Sequence, residues 1–218
     1  MELYTHIFML MASLLGFLYG AKHFLKKGKA MYLWMITLGV FCTMMGTLFE
    51  MILLWTKGTL PEGFYVGLLG YVGTFLFFMS ANYGQMDSLA DDGSKQFLKY
   101  RLIGLLAPIV LALIFSPALY FDEIMARKLS CLFVVIFILP ASYFHLKHLI
   151  FPDVDYGIIR CIRGYNALAL SYAVCCVLKL TVGCLDLAFI SNALDVVSGL
   201  ILLALLPVLG KEVKQWTL

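Results

Sequence analysis

The sequence predicts an all-α integral membrane protein with seven transmembrane helices. Apolar residues occupy 62% of the 218 positions and charged residues only 13%, whereas soluble domains carry about 25% charged residues. Seven apolar runs are long enough to cross a bilayer, which takes roughly 20 residues each. Lys and Arg are also distributed unequally between the loops on the two sides. Together these observations predict a polytopic helical bundle.

The seven runs follow one another with short connections, so we expect a single transmembrane domain over residues 1–218. None of the connections in the sequence is long enough to hold a soluble domain. The predicted spans cover residues 3–24, 31–55, 64–83, 102–121, 129–149, 166–187 and 191–210.

The basic residues of the loops predict the orientation of the bundle. Positively charged loops stay in the cytoplasm, and twelve of the sixteen Lys and Arg residues lie on one side against three on the other, with Lys179 inside a span. The N-terminus is therefore expected outside and the C-terminus in the cytoplasm. The twelve are Lys22, Lys26, Lys27, Lys29, Lys95, Lys99, Arg101, Lys147, Arg160, Arg163, Lys211 and Lys214.

Lys179 is the most informative single residue, because it lies within the sixth apolar run. A charged side chain near the bilayer centre costs roughly 2.5–3.5 kcal/mol, so such residues usually face a cavity or a partner. Polar residues at helical spacing accompany it: Tyr172 and Asp186 share its helix face, and Thr47 and Glu50 share a face of the second span. We expect these faces to point into the bundle.

The predicted topology places five ionisable groups in the outer half of the bundle, with Lys179 roughly 12 Å below its outer end. We interpret them as an outward-opening pocket for a small polar ligand. The alternative is structural: Glu50 and Lys179 pair to hold two helices together, while Asp186 and Asp195 are interfacial. The predicted ligand-binding residues are Glu50, Lys179, Asp186, Asp195, Thr47, Tyr172 and His6.

A metal site is a weaker hypothesis. His145 and His148 share a helix face near Asp153 and Asp155, and histidines at this spacing can bind a metal. The basic Lys147 between them favours a pair that faces the loop instead. We therefore expect neither a metal nor a cofactor.

The six cysteines contain no C-x-x-C pair, which argues against a zinc ribbon or a thioredoxin-like motif. Cys131 and Cys184 are both expected near the outer surface. Buried free thiols are the favoured interpretation, and a disulfide between these two is the alternative.

The stretch Phe137-Ile138-Leu139-Pro140 looks like the start of a PQ-loop, although Ala141 stands where the glutamine belongs and the first span has no proline. With its length, short loops and N-out orientation, the chain resembles the seven-helix families of SWEET sugar facilitators, PQ-loop transporters and the KDEL receptor. The resemblance implies two three-helix repeats joined by the fourth span, related by an axis along the membrane normal. It implies no substrate and no site residue.

We expect a small-solute transporter or facilitator in the plasma membrane, with a small molecule and membrane lipid as partners. A ligand-sensing receptor is the first alternative, acting on a cytoplasmic protein through loops 21–30, 84–101 and 151–165. An intramembrane enzyme is the second. A second copy of the chain is a further candidate partner. Nucleic acid is not, because the basic loops follow the positive-inside pattern.

Overall fold

The computed structural model describes residues 2–87, 90–153 and 159–216, which are helical apart from short connections; Asp155 of the metal hypothesis lies outside them. Within these residues there is no strand, and seven helices are long and apolar enough to cross a membrane. The prediction of seven helices that are long and apolar enough to cross a membrane is thus confirmed, and the chain has the helices of a multi-pass integral membrane protein.

The helices are named here in chain order. The fourth span consists of α4 and α5 together, and each of the other spans is one long helix. The bounds are α1 Glu2–His23, α2 Met31–Lys57, α3 Val66–Ala81, α4 Leu98–Gly104, α5 Leu106–Phe121, α6 Met125–Ile150, α7 Arg163–Cys184 and α8 Ala188–Trp216.

The fourth span breaks at Leu105, where α4 ends and α5 begins. Pro108 explains the break: proline has no N–H to donate to the carbonyl of Gly104, four residues earlier, and its ring clashes with that carbonyl. Pro117 and Pro140 lie inside α5 and α6, which continue through them.

Several helices extend beyond their predicted ends, and for two of them polar contacts support the extra turns. At the start of α6, Asp122 accepts a hydrogen bond from the backbone N–H of Ile124 at 2.9 Å. At the end of α8, the Glu212 carboxylate accepts the backbone N–H groups of Gly164 and Tyr165 at 2.8 and 3.4 Å. Glu212 thereby satisfies N–H groups of the first turn of α7 that have no partner within their own helix.

Six of the spans pack as a closed ring in the order α1, α2, α3, α6, α7, α8 and back to α1. Helix α5 lies outside the ring against α6 and α7. The end of the bundle where α1 begins is called the amino end here, and the end where α8 finishes is the carboxyl end.

Close contact between α2 and α3 depends on two glycines. A Cβ atom built on Gly70 would lie 2.6 Å from the Cα of Gly46 and 2.7 Å from the carbonyl oxygen of Cys42. Only hydrogen side chains allow the two backbones to approach this closely. The crossing lies one turn from Glu50 on α2 and next to Tyr71 on α3, so it sets the geometry of the site described next.

Candidate functional site

Six polar side chains from five spans and one loop meet inside the amino end of the bundle. Each of their contacts joins residues at least 15 positions apart in the sequence. This group is called the amino-end cluster and consists of His6, Glu50, Tyr65, Tyr71, Lys179 and Asp195.

The ion pair at the centre of the cluster joins α7 to α8. Lys179 Nζ lies 2.6 Å from Asp195 Oδ1, and the side chains are 16% and 1% exposed. Tyr71 packs against the same ammonium group, with Nζ 5.7 Å from the ring centroid. Glu50 was the partner that the sequence suggested for Lys179, but the structure pairs Lys179 with Asp195.

Glu50 is held by tyrosine hydroxyls. Tyr65 donates to Glu50 Oε1 at 2.6 Å, and Tyr71 donates to Oε2 at 3.1 Å. The Tyr71 hydroxyl also accepts a hydrogen bond from Lys179 Nζ at 3.3 Å. Tyr71 therefore connects the buried carboxylate of α2 to the ion pair of α7 and α8.

His6 lies between the two carboxylates. Its Nε2 is 3.4 Å from Glu50 Oε2, and its Nδ1 is 3.8 Å from Asp195 Oδ2 and 2.9 Å from the backbone carbonyl oxygen of Glu2. Both neighbours of Nδ1 are acceptors, so Nδ1 carries a hydrogen. Helix α1 thus brings an imidazole against the two acidic groups of the cluster.

Two cavities adjoin the cluster. The larger has a volume of about 360 Å³ and is lined by residues from the amino-end loops and helix ends, including Glu62, Arg127 and His6. The smaller, about 60 Å³, has a mainly apolar lining that includes Val134, and Glu50 reaches it. Lys179 lines both cavities, together with Leu60, Tyr65, Leu68 and Leu180.

The structure brings four of the seven predicted ligand-binding residues together: His6, Glu50, Lys179 and Asp195. Asp195 is buried beneath Lys179 and lines neither cavity, so it acts on the site through that lysine.

Asp186 is not part of the cluster, and its assignment to the pocket is corrected. Helix α7 ends at Cys184, and Asp186 follows in a left-handed conformation with φ of 55°. Its side chain is 79% exposed and pairs with Arg127 at 3.0 Å. Helical spacing from Lys179 no longer applies beyond the helix end, so the two do not share a face.

Thr47 and Tyr172 are buried but line neither cavity beside the cluster. Tyr172 lies deeper in the bundle, 3.3 Å from the hydroxyl of Thr43, and its ring stacks on Phe75. The Thr47 hydroxyl lacks a hydrogen-bond partner within the described part of the chain. Both therefore lie in the core around the site and not at the wall of either cavity.

Tyr65 and Tyr71, which hold Glu50, were not predicted from the sequence. Tyrosines are common where membrane helices meet the interface, so neither residue stands out in the sequence. The helical spacing of Tyr71 and Thr74 on the third span is the only available signal.

A second polar cluster lies at the carboxyl end, around the two histidines of the metal hypothesis. His145 and His148 are both fully buried, so the expectation that they face the loop is wrong. His145 Nδ1 is 2.8 Å from Asn166 Oδ1 and 3.0 Å from Asn82 Nδ2, and His148 Nδ1 is 3.0 Å from Asn82 Oδ1. Asn82 thus joins both histidines and Asn166.

Charged residues close this second cluster toward the carboxyl-end loops. His148 Nε2 lies 3.1 Å from Asp87 Oδ1, and Lys147 Nζ contacts Asp87 at 2.5 Å and Asp91 at 2.6 Å. Arg101 contacts Asp91 in turn. The carboxyl-end cluster consists of Asn82, Asp87, Asp91, Arg101, His145, Lys147, His148 and Asn166.

Buried aromatic rings separate the two clusters. Along α3, Phe75 and Phe78 lie between Tyr71 of one cluster and Asn82 of the other. These two cluster residues are eleven positions apart, or about 16 Å at 1.5 Å per residue. Phe78 also packs edge-on against Tyr165. The interior therefore has a polar site near each end and an aromatic layer between them.

Within residues 2–87, 90–153 and 159–216, no three His, Cys, Asp or Glu side chains are grouped closely enough to hold a metal ion. The six cysteines are free thiols, and Cys131 and Cys184 approach each other with their sulfur atoms 3.7 Å apart.

Comparison with known proteins adds no relative: no family model, curated protein or solved structure matches the chain.

Proposed function

We propose that this chain binds a small polar solute in the amino-end cavity and carries it across the membrane. The observation that supports this most is the position of Lys179. Its ammonium group is paired with buried Asp195, yet it lines both the larger and the smaller cavity. A cavity of about 360 Å³ is within the usual size range of ligand sites.

The chemistry of the cavity suggests the kind of ligand. An anionic group of the solute would bind Lys179 in competition with Asp195, and Leu60, Leu68 and Leu180 would contact an apolar part. Because Lys179 and Asp195 belong to different helices, weakening their pair would loosen α7 from α8. A ligand that binds one arrangement of these helices better than the other shifts the equilibrium between them.

The orientation and the location of the protein belong to the same proposal. The loop charges put the amino end outside, so the cavity would open to the exterior of the plasma membrane.

The ring supports two repeats joined by the fourth span. A two-fold axis that exchanges α1, α2 and α3 with α6, α7 and α8 also exchanges the α3–α6 contact with the α8–α1 contact.

Uptake into proteoliposomes tests the proposal. Purified protein is reconstituted, incubated with a mixture of small metabolites, and the vesicle contents are identified by mass spectrometry. We expect at least one solute to accumulate above the level in protein-free vesicles. Correctly inserted protein that binds a solute without flux would contradict transport and favour the receptor alternative, for which a partner protein that co-purifies would be the next observation.

A further inference from the structure

Each cluster contains a histidine whose two ring nitrogens both face acceptor atoms. At the amino end, His6 Nδ1 faces the carbonyl oxygen of Glu2 and Nε2 faces Glu50 Oε2. A neutral imidazole has one donor and one acceptor nitrogen. With Nδ1 as the donor, Nε2 would direct its lone pair at a carboxylate oxygen. At 3.4 Å this contact is longer than a normal hydrogen bond, and it is electrostatically favourable only when one proton lies between His6 and Glu50.

At the carboxyl end, the orientations of two asparagine amides show that both ring nitrogens of His148 face acceptors. Asn166 Nδ2 donates to the backbone oxygen of Ile162 at 3.0 Å, which turns Asn166 Oδ1 toward Asn82. Asn82 must therefore present its Nδ2 to Asn166 and its Oδ1 to His148 Nδ1. His148 Nδ1 is then the donor, and Nε2 faces the carboxylate of Asp87 at 3.1 Å. This pair also needs a proton between its members.

The charges around the two pairs differ. At the amino end, Lys179 balances one of the two carboxylates Glu50 and Asp195, so the extra proton brings the cluster to neutrality. At the carboxyl end, the charges are balanced before the proton arrives, so it adds one positive charge. The groups around His148 there are Asp87, Lys147, Asp91, Asn82 and His145, and Arg101 is paired with Asp91.

We propose that the bundle holds two proton-binding sites of unequal strength: a tighter His6–Glu50 site near the amino end and a weaker His148–Asp87 site near the carboxyl end. His6, Glu50 and His148 are buried, Asp87 is 21% exposed, and the two sites lie on opposite sides of the aromatic layer. Their role as the proton-coupling sites of a transporter rests on the function proposed above, whereas proton binding itself does not.

The surroundings of Asp87 also indicate that the His148–Asp87 site binds its proton more weakly. Burial raises the pKa of its carboxyl group, but the hydrogen bonds from His148 and Lys147 outweigh this and hold the pKa below its usual value. With Lys147 in contact, Asp87 keeps a cationic partner when His148 loses its proton.

The test is a titration of the purified protein labelled with ¹⁵N-histidine, followed by NMR. The chain has only four histidines, so single His→Gln variants assign every signal. Infrared bands of protonated carboxylic acids report protons that reside on Glu50 or Asp87. We expect the His6–Glu50 pair to hold its proton at neutral pH and the His148–Asp87 pair to take up its proton at a pH at least about one unit lower.

Variants test the charge argument separately from folding. Glu50→Gln should remove the proton of the amino-end pair only, because the Gln amide can donate to His6 Nε2. Lys147→Met should strengthen proton binding at His148 by removing a positive charge. His23 is the internal control: its Nδ1 lies 2.8 Å from the Tyr19 carbonyl oxygen, as His6 does with Glu2, but no carboxylate is among its described contacts.

Absence of a proton from the His6–Glu50 pair at neutral pH would overturn the inference, as would equal or reversed titration of the two pairs. The wild-type titration needs no variant to fold. If the two sites titrate as expected but no solute enters proteoliposomes, the proton sites stand and the transport proposal fails. If a solute enters proteoliposomes but the two sites do not titrate in this way, the transport proposal stands and the proton sites fail.

Discussion

At the scale of single residues, the central fact is that the ionisable groups of the amino-end cluster are partnered. Removing one member of a buried pair leaves an uncompensated charge, which costs about 3–5 kcal/mol. Burying these charges costs free energy, so the pairing of Lys179, Asp195 and Glu50 points to a role for the cluster. Their mutual contacts hold charged groups at the inner wall of the cavities. The rest of the larger cavity is lined by apolar side chains and by charged residues near its mouth.

Replacing Lys179 tests its pairing with Asp195. Lys179→Met is one atom shorter, keeps an unbranched apolar stem and leaves Asp195 unpaired, so we expect a loss of about 3 kcal/mol of stability, seen as a lower melting temperature in detergent. Adding Asp195→Leu should restore most of it, because an apolar pair of similar volume can replace a buried ion pair. Lys57→Met, at the exposed end of α2, is the control and should change little.

An equal loss for Lys57→Met, or no recovery in the double variant, would contradict the pairing of Lys179 with Asp195.

The sequence was sufficient to find His6, Glu50, Lys179 and Asp195, because ionisable residues inside apolar runs are rare. It could not identify the partner of Lys179, since that depends on which helices are neighbours. The ring places α7 beside α8, so Lys179 on α7 pairs with Asp195 on α8 and not with Glu50 on α2. The Asp186 prediction failed because helical spacing was continued past Cys184, the last residue of α7.

At the scale of elements, the contact between α2 and α3 is the most constrained. Gly70→Ala should lower the melting temperature by several degrees, because its new methyl group would meet the backbone of α2 at Gly46 and Cys42. Gly183→Ala is the matched control: it is also helical, but nothing lies within 4 Å of its added Cβ. It should be neutral or slightly stabilising. Similar melting temperatures for the two variants would contradict the close approach.

The start of α6 gives a prediction for pH. The hydrogen bond from Arg127 is the main reason that the pKa of Asp122 is lowered from 3.8 to about 2. A lowered pKa in the folded state contributes stability that is complete above the unfolded value and is lost as the pH falls through the folded value. Asp122→Asn should therefore destabilise the protein by roughly 2 kcal/mol at neutral pH.

The same substitution should have no effect below about pH 2, where Asp122 is protonated in both states. Melting curves of wild type and variant across the acid range check this. A difference between them that does not depend on pH would show that the ion pair with Arg127 is not its source.

The number of membrane-length helices was predictable from the sequence, whereas their exact ends were not. The seven spans follow from apolar run length alone. The extra first turn of α6 depends on Asp122, and the extension of α8 depends on Glu212 capping α7. Both are tertiary contacts that hydropathy does not contain. The carboxyl-end cluster was missed for the same reason: Asn82 and Asn166 are unremarkable in the sequence until α3, α6 and α7 are placed together.

At the scale of the whole molecule, the positive-inside pattern predicts that the amino end faces outward. Glu62→Cys, in the amino-end loop, should react in intact cells with a maleimide that cannot cross membranes, whereas Lys27→Cys, in a carboxyl-end loop, should react only after permeabilisation. Both positions are exposed. The reverse pattern would invert the orientation and would make the cavity face the cytoplasm.

The ring of six helices, the polar site near each end and the aromatic layer between them together form the architecture on which the proposed transport depends. A ligand present at 100 times its dissociation constant stabilises a protein by about 2.7 kcal/mol. Binding at Lys179 is therefore measurable whether or not the solute crosses the membrane.

A thermal-shift screen of a metabolite panel, run on wild type and on the Lys179→Met, Asp195→Leu double variant, tests whether Lys179 belongs to a ligand site. The double variant is expected to keep the packing between α7 and α8, and it removes the charge that lines both cavities. We predict that at least one small polar metabolite raises the melting temperature of wild type and leaves that of the double variant unchanged. A panel in which no metabolite distinguishes the two proteins would contradict a ligand site at Lys179.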